Sequence, residues 1–122
     1  MVKLLIVEDD RGIRELIGHT VPAGWDVTFA ADGIEALAAA RTIQPDAIIL
    51  DHQLPVLTGA EVLELLQRES WRDRCTIVAL TTSYDPDVRR QMTLAGADAF
   101  LHKPFSPVEL LEMLEVWEHQ HG

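Results

Sequence analysis

The sequence of 122 residues contains a single cysteine, Cys75. An internal disulfide is therefore excluded, which fits a reducing compartment, so we expect a cytoplasmic protein in which Cys75 is inert packing. No stretch approaches the ~20 apolar residues of a membrane span. Met1 leads straight into an apolar run that lacks the features of a signal peptide. We therefore expect no membrane association.

Basic residues are also scarce, because ten Lys and Arg face twenty Asp and Glu and the net charge is −10. Nucleic-acid binding requires a basic stripe, and these ten residues form none, so no direct nucleic-acid contact is expected. Part of the acidity lies on one side of a predicted C-terminal helix, which is either a solvated face or a docking surface for a basic partner. Its members are Glu109, Glu112, Glu115 and Glu118.

The chain has no repeat, low-complexity segment or linker, so we expect one domain over residues 1–122. Short apolar runs alternate with stretches of helical period, the pattern of βαβ units around a parallel sheet. Strands are predicted at 3–8, 26–30, 47–51, 76–81 and 99–102, and helices at 11–20, 33–42, 59–69, 86–95 and 107–118. The predicted N-caps are Asp10, Asp32, Asp85 and Ser106, and Gly96 is a predicted C-terminal cap.

Polar residues follow four of the predicted strands. Asp51 ends the run Ala-Ile-Ile-Leu, and the acidic run 8–10 follows Leu-Leu-Ile-Val. Thr81 ends a third strand, and Lys103 follows a fourth. In an open parallel α/β sheet, ligands bind where the carboxyl ends of the strands meet at a topological switch point. The four strand ends therefore predict one composite site.

The acidic part of this site predicts a bound cation. Two carboxylates ~4 Å apart repel each other by ~4 kcal/mol at an effective dielectric near 20. Glu8, Asp9 and Asp51 would therefore need a cation among them, and an all-oxygen set suits Mg²⁺. Cys or His ligands at zinc spacing are absent from the sequence. With Lys103 and Thr81 binding phosphoryl oxygens, the site meets the needs of phosphoryl transfer to a carboxylate.

Simpler interpretations remain open for each residue taken singly. Asp51 could cap a turn, and Glu8 and Asp9 could be a solvated strand end. The segment 81–83, Thr-Thr-Ser, could form only an ST-turn.

Four segments in this order resemble the receiver domain of response regulators in two-component signalling, over essentially the full length of the chain. They are Leu5-Ile6-Val7-Glu8-Asp9-Asp10, Ile49-Leu50-Asp51-His52-Gln53-Leu54-Pro55 with Gly59, Leu80-Thr81, and Gly96-Ala97-Asp98-Ala99-Phe100-Leu101-His102-Lys103-Pro104-Phe105. The resemblance implies a doubly wound, flavodoxin-like α/β/α fold with a five-stranded parallel sheet of order 2-1-3-4-5. It also implies a signalling module, rather than an enzyme, that catalyses its own phosphorylation and dephosphorylation.

The resemblance also implies roles for residues of the acidic site. Asp51 would be the phosphoacceptor and would also bind Mg²⁺. Asp9 would bind the metal directly, Glu8 through water, and Gln53 through its backbone carbonyl. Lys103 would pair with the phosphoryl group.

A second set of implied roles concerns the switch. Thr81 would be the switch hydroxyl and Phe100 the switch aromatic residue, and the Lys103–Pro104 bond would be cis. Phe100 stands where tyrosine is frequent in the family. A ring without a hydroxyl prefers burial, and our hypothesis is that this favours its inward, active-like position.

The implied partners are a sensor histidine kinase or a histidine phosphotransfer protein, and an unknown downstream protein target. The target would bind the surface formed by the fourth helix, fifth strand and fifth helix. The predicted fifth helix carries four glutamates and no Lys or Arg, so we expect a monomer or weak dimer. Alternatives are a receiver fragment of a longer DNA-binding regulator or hybrid kinase, and a flavodoxin-like cofactor-binding protein. The last is disfavoured because the acidic run 8–10 would repel an FMN phosphate.

Overall fold

The computed structural model of the protein describes residues 1–121, in which five strands alternate with five helices. The strands are β1 (Lys3–Val7), β2 (Asp26–Ala30), β3 (Ala47–Asp51), β4 (Thr76–Thr81) and β5 (Ala99–His102). The helices are α1 (Arg11–Thr20), α2 (Gly33–Ile43), α3 (Gly59–Leu66), α4 (Pro86–Ala95) and α5 (Pro107–His121). Within residues 1–121, none of the helices is both long enough and apolar enough to span a bilayer.

The five strands form one parallel sheet of order β2-β1-β3-β4-β5, as the resemblance implied. Successive residues of a strand point to opposite faces of the sheet, and both faces are covered. Leu5 and Ile48 belong to the core under α2, α3 and α4, whereas Ile6 and Ile49 belong to the core shared with α1 and α5. This arrangement explains why the strands read as nearly continuous apolar runs, and it confirms the three-layer α/β/α prediction.

The predicted helix caps are present. The caps and their backbone donors are Asp10 with Ile13 (3.0 Å), Asp32 with Glu35 (2.8 Å), Asp85 with Asp87 (2.9 Å) and Ser106 with Glu109 (3.1 Å). Gly96 ends α4 with φ of 123°, a conformation that side chains rarely adopt.

Helix α5 is longer than predicted and runs to His121 rather than to residue 118. Trp117 donates to the Thr76 hydroxyl at 2.8 Å and packs edge-to-face on Trp25 with ring centroids 5.6 Å apart. The ring of His121 stacks on Trp117, so the last turn is held by aromatic contacts. Glu118 accepts a hydrogen bond from Trp25 at 2.6 Å and is half-buried. It therefore departs from the solvated acidic face, in which the other three glutamates are exposed.

Helix α3 ends at Leu66, three residues earlier than the predicted end, and an unpredicted 3₁₀ turn follows at Arg72–Arg74. Arg72 is buried, donates to the carbonyl of Cys75 and pairs with Asp98 at 3.2 Å.

Cys75 is 3% exposed, and burial raises the pKa of its thiol to about 12. The thiol is therefore protonated at neutral pH, in agreement with inert packing.

The loop between β3 and α3 contains a strained turn at Val56. Its φ is 73°, and the Leu57 N–H donates to the Pro55 carbonyl across it at 2.9 Å. A hydrogen bond between residues i and i+2 at this φ is the rare form of the γ-turn. A β-branched residue is an outlier there, and Val56 is 73% exposed, so no core packing compensates.

We therefore expect Val56→Asn to raise the free energy of unfolding by about 1 kcal/mol, since Asn tolerates positive φ better than Val. Urea denaturation would measure the change. Val56→Ala, which keeps a Cβ atom but lacks β-branching, should gain less. A Val56→Asn protein no more stable than the parent chain would show that the turn is not strained.

Candidate functional site

The polar residues that follow the strands meet at one edge of the sheet. The parallel register of β1, β3, β4 and β5 places their carboxyl ends side by side. Glu8, Asp51 and Thr81 are 1%, 4% and 1% exposed, although all three are polar. Buried polar groups need partners, so this edge must supply them.

The acidic residues and Lys103 form a compact cluster. Glu8, Asp9 and Asp51 each contribute a carboxylate oxygen, and these atoms lie within 4.8 Å of one another. The Lys103 ammonium lies 2.7 Å from Glu8 Oε2 and 3.1 Å from Asp51 Oδ2. One ammonium group thus pairs with two of the three carboxylates, and the cluster carries two net negative charges when all four groups are ionised. This all-oxygen donor set with a divalent charge deficit fits Mg²⁺.

Burial perturbs the acid–base chemistry of this cluster. It raises the pKa of Glu8 from its ordinary value of 4.5 to about 7; the Lys103 hydrogen bond opposes this rise and the Asp51 charge adds to it. Burial alone would lower the pKa of Lys103, but the hydrogen bond to Glu8 and the charge of Asp51 outweigh it and the pKa is raised. Without metal, Lys103 is therefore a cation at neutral pH, while Glu8 is partly protonated.

The metal-free protein should consequently lose stability as the pH rises from 5 to 8. In the folded state Glu8 retains its proton up to a pKa of about 7, against 4.5 ordinarily, so the folded state binds more protons in this window and stability falls with pH. We expect the loss from Glu8 to be roughly 2 to 3 kcal/mol, since one pKa unit corresponds to about 1.4 kcal/mol.

Urea unfolding in EDTA at pH 5, 6, 7 and 8 would measure this loss. Glu8→Gln is the control, because it keeps the shape of the side chain and removes the titration. The stability difference between the parent chain and Glu8→Gln should change with pH in this window. A constant difference would contradict the raised pKa.

The loop after β3 lies directly against Asp51. The Gln53 N–H donates to Asp51 Oδ1 at 3.2 Å, and the Gly59 N–H donates to the His52 carbonyl at 3.1 Å. A Cβ atom on Gly59 would lie 2.5 Å from the Asp51 carbonyl oxygen. Only glycine permits this approach, which gives a physical reason for Gly59 in the sequence motif.

Thr81 lies at the end of β4, and its hydroxyl accepts a hydrogen bond from the Ser83 N–H at 3.0 Å. The ST-turn that the sequence left open is therefore present. It uses the oxygen as an acceptor, so the hydroxyl proton can still be donated to another group. The Lys103 N–H donates to the Thr81 carbonyl at 2.8 Å, and the Lys103–Pro104 bond is cis, as the resemblance implied.

Phe100 is half-buried and packs against the core under α2, α3 and α4. The Arg89 guanidinium of α4 lies over its ring, 4.9 Å from the centroid. His102 follows Phe100 in β5, and its ring stacks on Tyr84 with centroids 3.8 Å apart, while its Nε2 lies 3.1 Å from the Thr82 carbonyl oxygen. These contacts join residues of α4, or of the loop before it, to β5. They produce no periodic pattern in the sequence and were therefore not predicted.

An open cleft of about 610 Å³ adjoins the acidic cluster. It is lined by Asp9, His52, Gln53, Leu54, Pro55, Thr58, Ala60 and Gln91. Asp9 is exposed, whereas Glu8 and Asp51 are buried behind it. The cleft therefore gives an external group access to the cluster from the side of α3 and α4.

Comparison with known proteins identifies relatives of the chain. Residues 4–115 match the model of the response regulator receiver domain. The chemotaxis response regulator CheY4 of Vibrio cholerae is 39% identical with a TM-score of 0.89, over 95% of this chain and 98% of that one. The receiver domain of the sensor histidine kinase PA1611 from Pseudomonas aeruginosa PAO1 is 33% identical with a TM-score of 0.85, over 95% and 96% of the two chains. Its structure has a magnesium ion coordinated in the active site cleft.

Longer relatives also match. The response regulator MprA of Mycobacterium bovis (strain BCG / Pasteur 1173P2) is 40% identical over 111 residues. The match covers 90% of this chain and 47% of MprA. The chain thus spans about half the length of the curated relatives it matches.

Proposed function

The chain belongs to the response regulator receiver domain family, and we propose that Asp51 is the residue through which it accepts a phosphoryl group. The family is a phospho-accepting signalling module of two-component systems rather than a classical enzyme. The observation that carries the assignment is the buried Asp51 carboxylate, 3.1 Å from the Lys103 ammonium and within 4.8 Å of Glu8 and Asp9.

In the proposed reaction a carboxylate oxygen of Asp51 attacks phosphorus. The new O–P bond forms as the bond from phosphorus to the donor, a phosphohistidine nitrogen or an acyl oxygen, breaks and its electron pair leaves with the donor. Lys103 stabilises the negative charge of the phosphoryl oxygens from its place beside Asp51. Bound Mg²⁺ would supply charge neutralisation, held by Asp9 directly, by Asp51, by Glu8 through water, and by the Gln53 carbonyl.

The proposed output is a change at the surface formed by α4, β5 and α5. Thr81 would donate its hydroxyl proton to the new phosphoryl group, and Phe100 would follow this movement. The buried position of Thr81 at the end of β4 and the half-buried ring of Phe100 support the assignment.

Receiver domains are phosphorylated by histidine kinases, and we propose a sensor histidine kinase or a histidine phosphotransfer protein as the donor here. We propose that residues 1–122 form one receiver domain. The matches to relatives of twice this length keep a longer DNA-binding regulator or hybrid kinase as the second candidate. A cytoplasmic location, a monomeric or weakly dimeric state, and the lack of direct nucleic-acid contact stay predictions.

Intact-mass spectrometry after incubation with acetyl phosphate and Mg²⁺ tests the proposal. We expect one phosphoryl adduct per chain, and its loss when EDTA replaces Mg²⁺, because repulsion by the acidic cluster would then oppose the phosphodonor. An adduct that forms equally well in EDTA would contradict the metal-dependent site.

A further inference from the structure

The acidic run 8–10 forms the loop between β1 and α1, and an arginine of α1 holds its backbone. Arg14, in α1, donates from the single nitrogen Nη1 to the Glu8 carbonyl at 2.8 Å and to the Asp9 carbonyl at 3.0 Å. Its guanidinium thus binds the main chain of the loop, and the Glu8 and Asp9 carboxylates remain available to the cluster with Asp51.

The hydrogen bonds of Asp10 and those of Arg14 hold different parts of the segment that follows β1. The Asp10 N–H donates to Glu8 Oε1 at 3.1 Å, and the Asp10 side chain caps α1 at the Ile13 N–H. These bonds fix the Glu8 carboxylate and the start of the helix. The exposed Asp9 side chain depends instead on the orientation of the two peptide units that flank it, and Arg14 binds the carbonyl oxygen of both.

We propose that Arg14 is a positioning residue for the cation site: it holds the Glu8–Asp9 backbone so that both carboxylates face Asp51 before the cation binds. The inference rests on the proposed function, because it assumes that the cluster binds Mg²⁺. Residues that orient metal ligands typically contribute 10- to 100-fold to metal affinity. A loop fixed in advance also avoids an ordering cost when the cation arrives.

The charge of Arg14 has the opposite effect. A guanidinium close to a cation site repels the incoming cation, so its removal would tighten Mg²⁺ binding if charge were its only contribution. Positioning and charge therefore predict changes of opposite sign for the same substitution, and a binding measurement separates them.

The test is isothermal titration calorimetry of the full chain with MgCl₂ at pH 8. Arg14→Ala should bind Mg²⁺ about tenfold more weakly than the parent chain, and Arg14→Lys should recover part of the loss. Arg11→Ala is the matched control, because Arg11 lies in the same first turns of α1, has a side chain that is 84% exposed and pairs with Glu15 at 3.0 Å. It removes the same charge and should bind Mg²⁺ as tightly as the parent chain or slightly more tightly.

A second measurement distinguishes positioning from general damage to the fold. The rate of adduct formation with acetyl phosphate should reach the parental plateau in Arg14→Ala at saturating Mg²⁺, with only the half-saturating concentration increased. Unchanged or tighter Mg²⁺ binding by Arg14→Ala, or a lowered plateau, would overturn the inference while the proposed function stands. If Arg14→Ala does not fold, Arg14→Gln takes its place with the same expectations. If the parent chain itself binds no Mg²⁺, the proposed function fails and the inference with it.

Discussion

Asp51→Asn is expected to abolish phosphoryl uptake from acetyl phosphate, with a fall in initial rate of more than about 100-fold. The neutral amide cannot act as the attacking oxygen anion. The substitution keeps the size of a residue that is only 4% exposed, so the fold should persist. Intact-mass spectrometry over time would measure the rate, and circular dichroism would verify the fold.

The neighbouring acid supplies the control for this experiment. Asp10→Asn removes one carboxylate from the same acidic run but keeps a good N-cap for α1, because Asn caps as well as Asp. Its adduct should form at close to the parental rate. If Asp51→Asn formed the phosphoryl adduct at the parental rate, the phosphoacceptor would be another carboxylate, and a peptide map would locate it.

The fold and the composition of the site could be predicted because both depend on local patterns. Apolar runs ended by Asp51, Thr81 or Lys103 mark strands whose carboxyl ends point the same way in a parallel sheet. Once the strand order is set, these residues must meet at one edge. The strand bounds follow from the same runs, which is why they agree with the structure to within one residue.

The remaining features depend on contacts that leave no periodic trace in the sequence. Trp25 and Glu118 are 93 residues apart in the chain, yet their hydrogen bond helps to extend α5 to its observed end. Arg14 reads as an ordinary charged residue of a surface helix, and its bonds to two carbonyls appear only when α1 is docked. The positive φ of Val56 contradicts the residue's own preference and occurs in the turn that the Leu57–Pro55 hydrogen bond closes.

Lys103→Met is the second substitution for which we expect a large effect, and it should move stability and metal affinity in opposite directions. The Lys103 ammonium contacts both Glu8 and Asp51, whose side chains are 1% and 6% exposed. Removing one partner of a buried ion pair leaves an uncompensated charge and typically costs about 3 to 5 kcal/mol. We expect a loss near the lower value for metal-free protein at pH 8, because Glu8 can bind a proton instead. The same change increases the negative charge of the site, so Mg²⁺ should bind more tightly.

Urea unfolding in EDTA and calorimetric titration with MgCl₂ would measure the two effects. Lys3→Met is the matched control, since the Lys3 ammonium donates to the Ile43 carbonyl at 3.0 Å, from the opposite end of β1. It removes the same charge and should leave Mg²⁺ affinity unchanged. The double substitution Lys103→Met with Glu8→Gln should be more stable at pH 8 than Lys103→Met alone, because only one buried carboxylate then lacks its cationic partner. If adding Glu8→Gln restored no stability to Lys103→Met, repulsion between the Glu8 and Asp51 carboxylates would not explain the effect of removing Lys103.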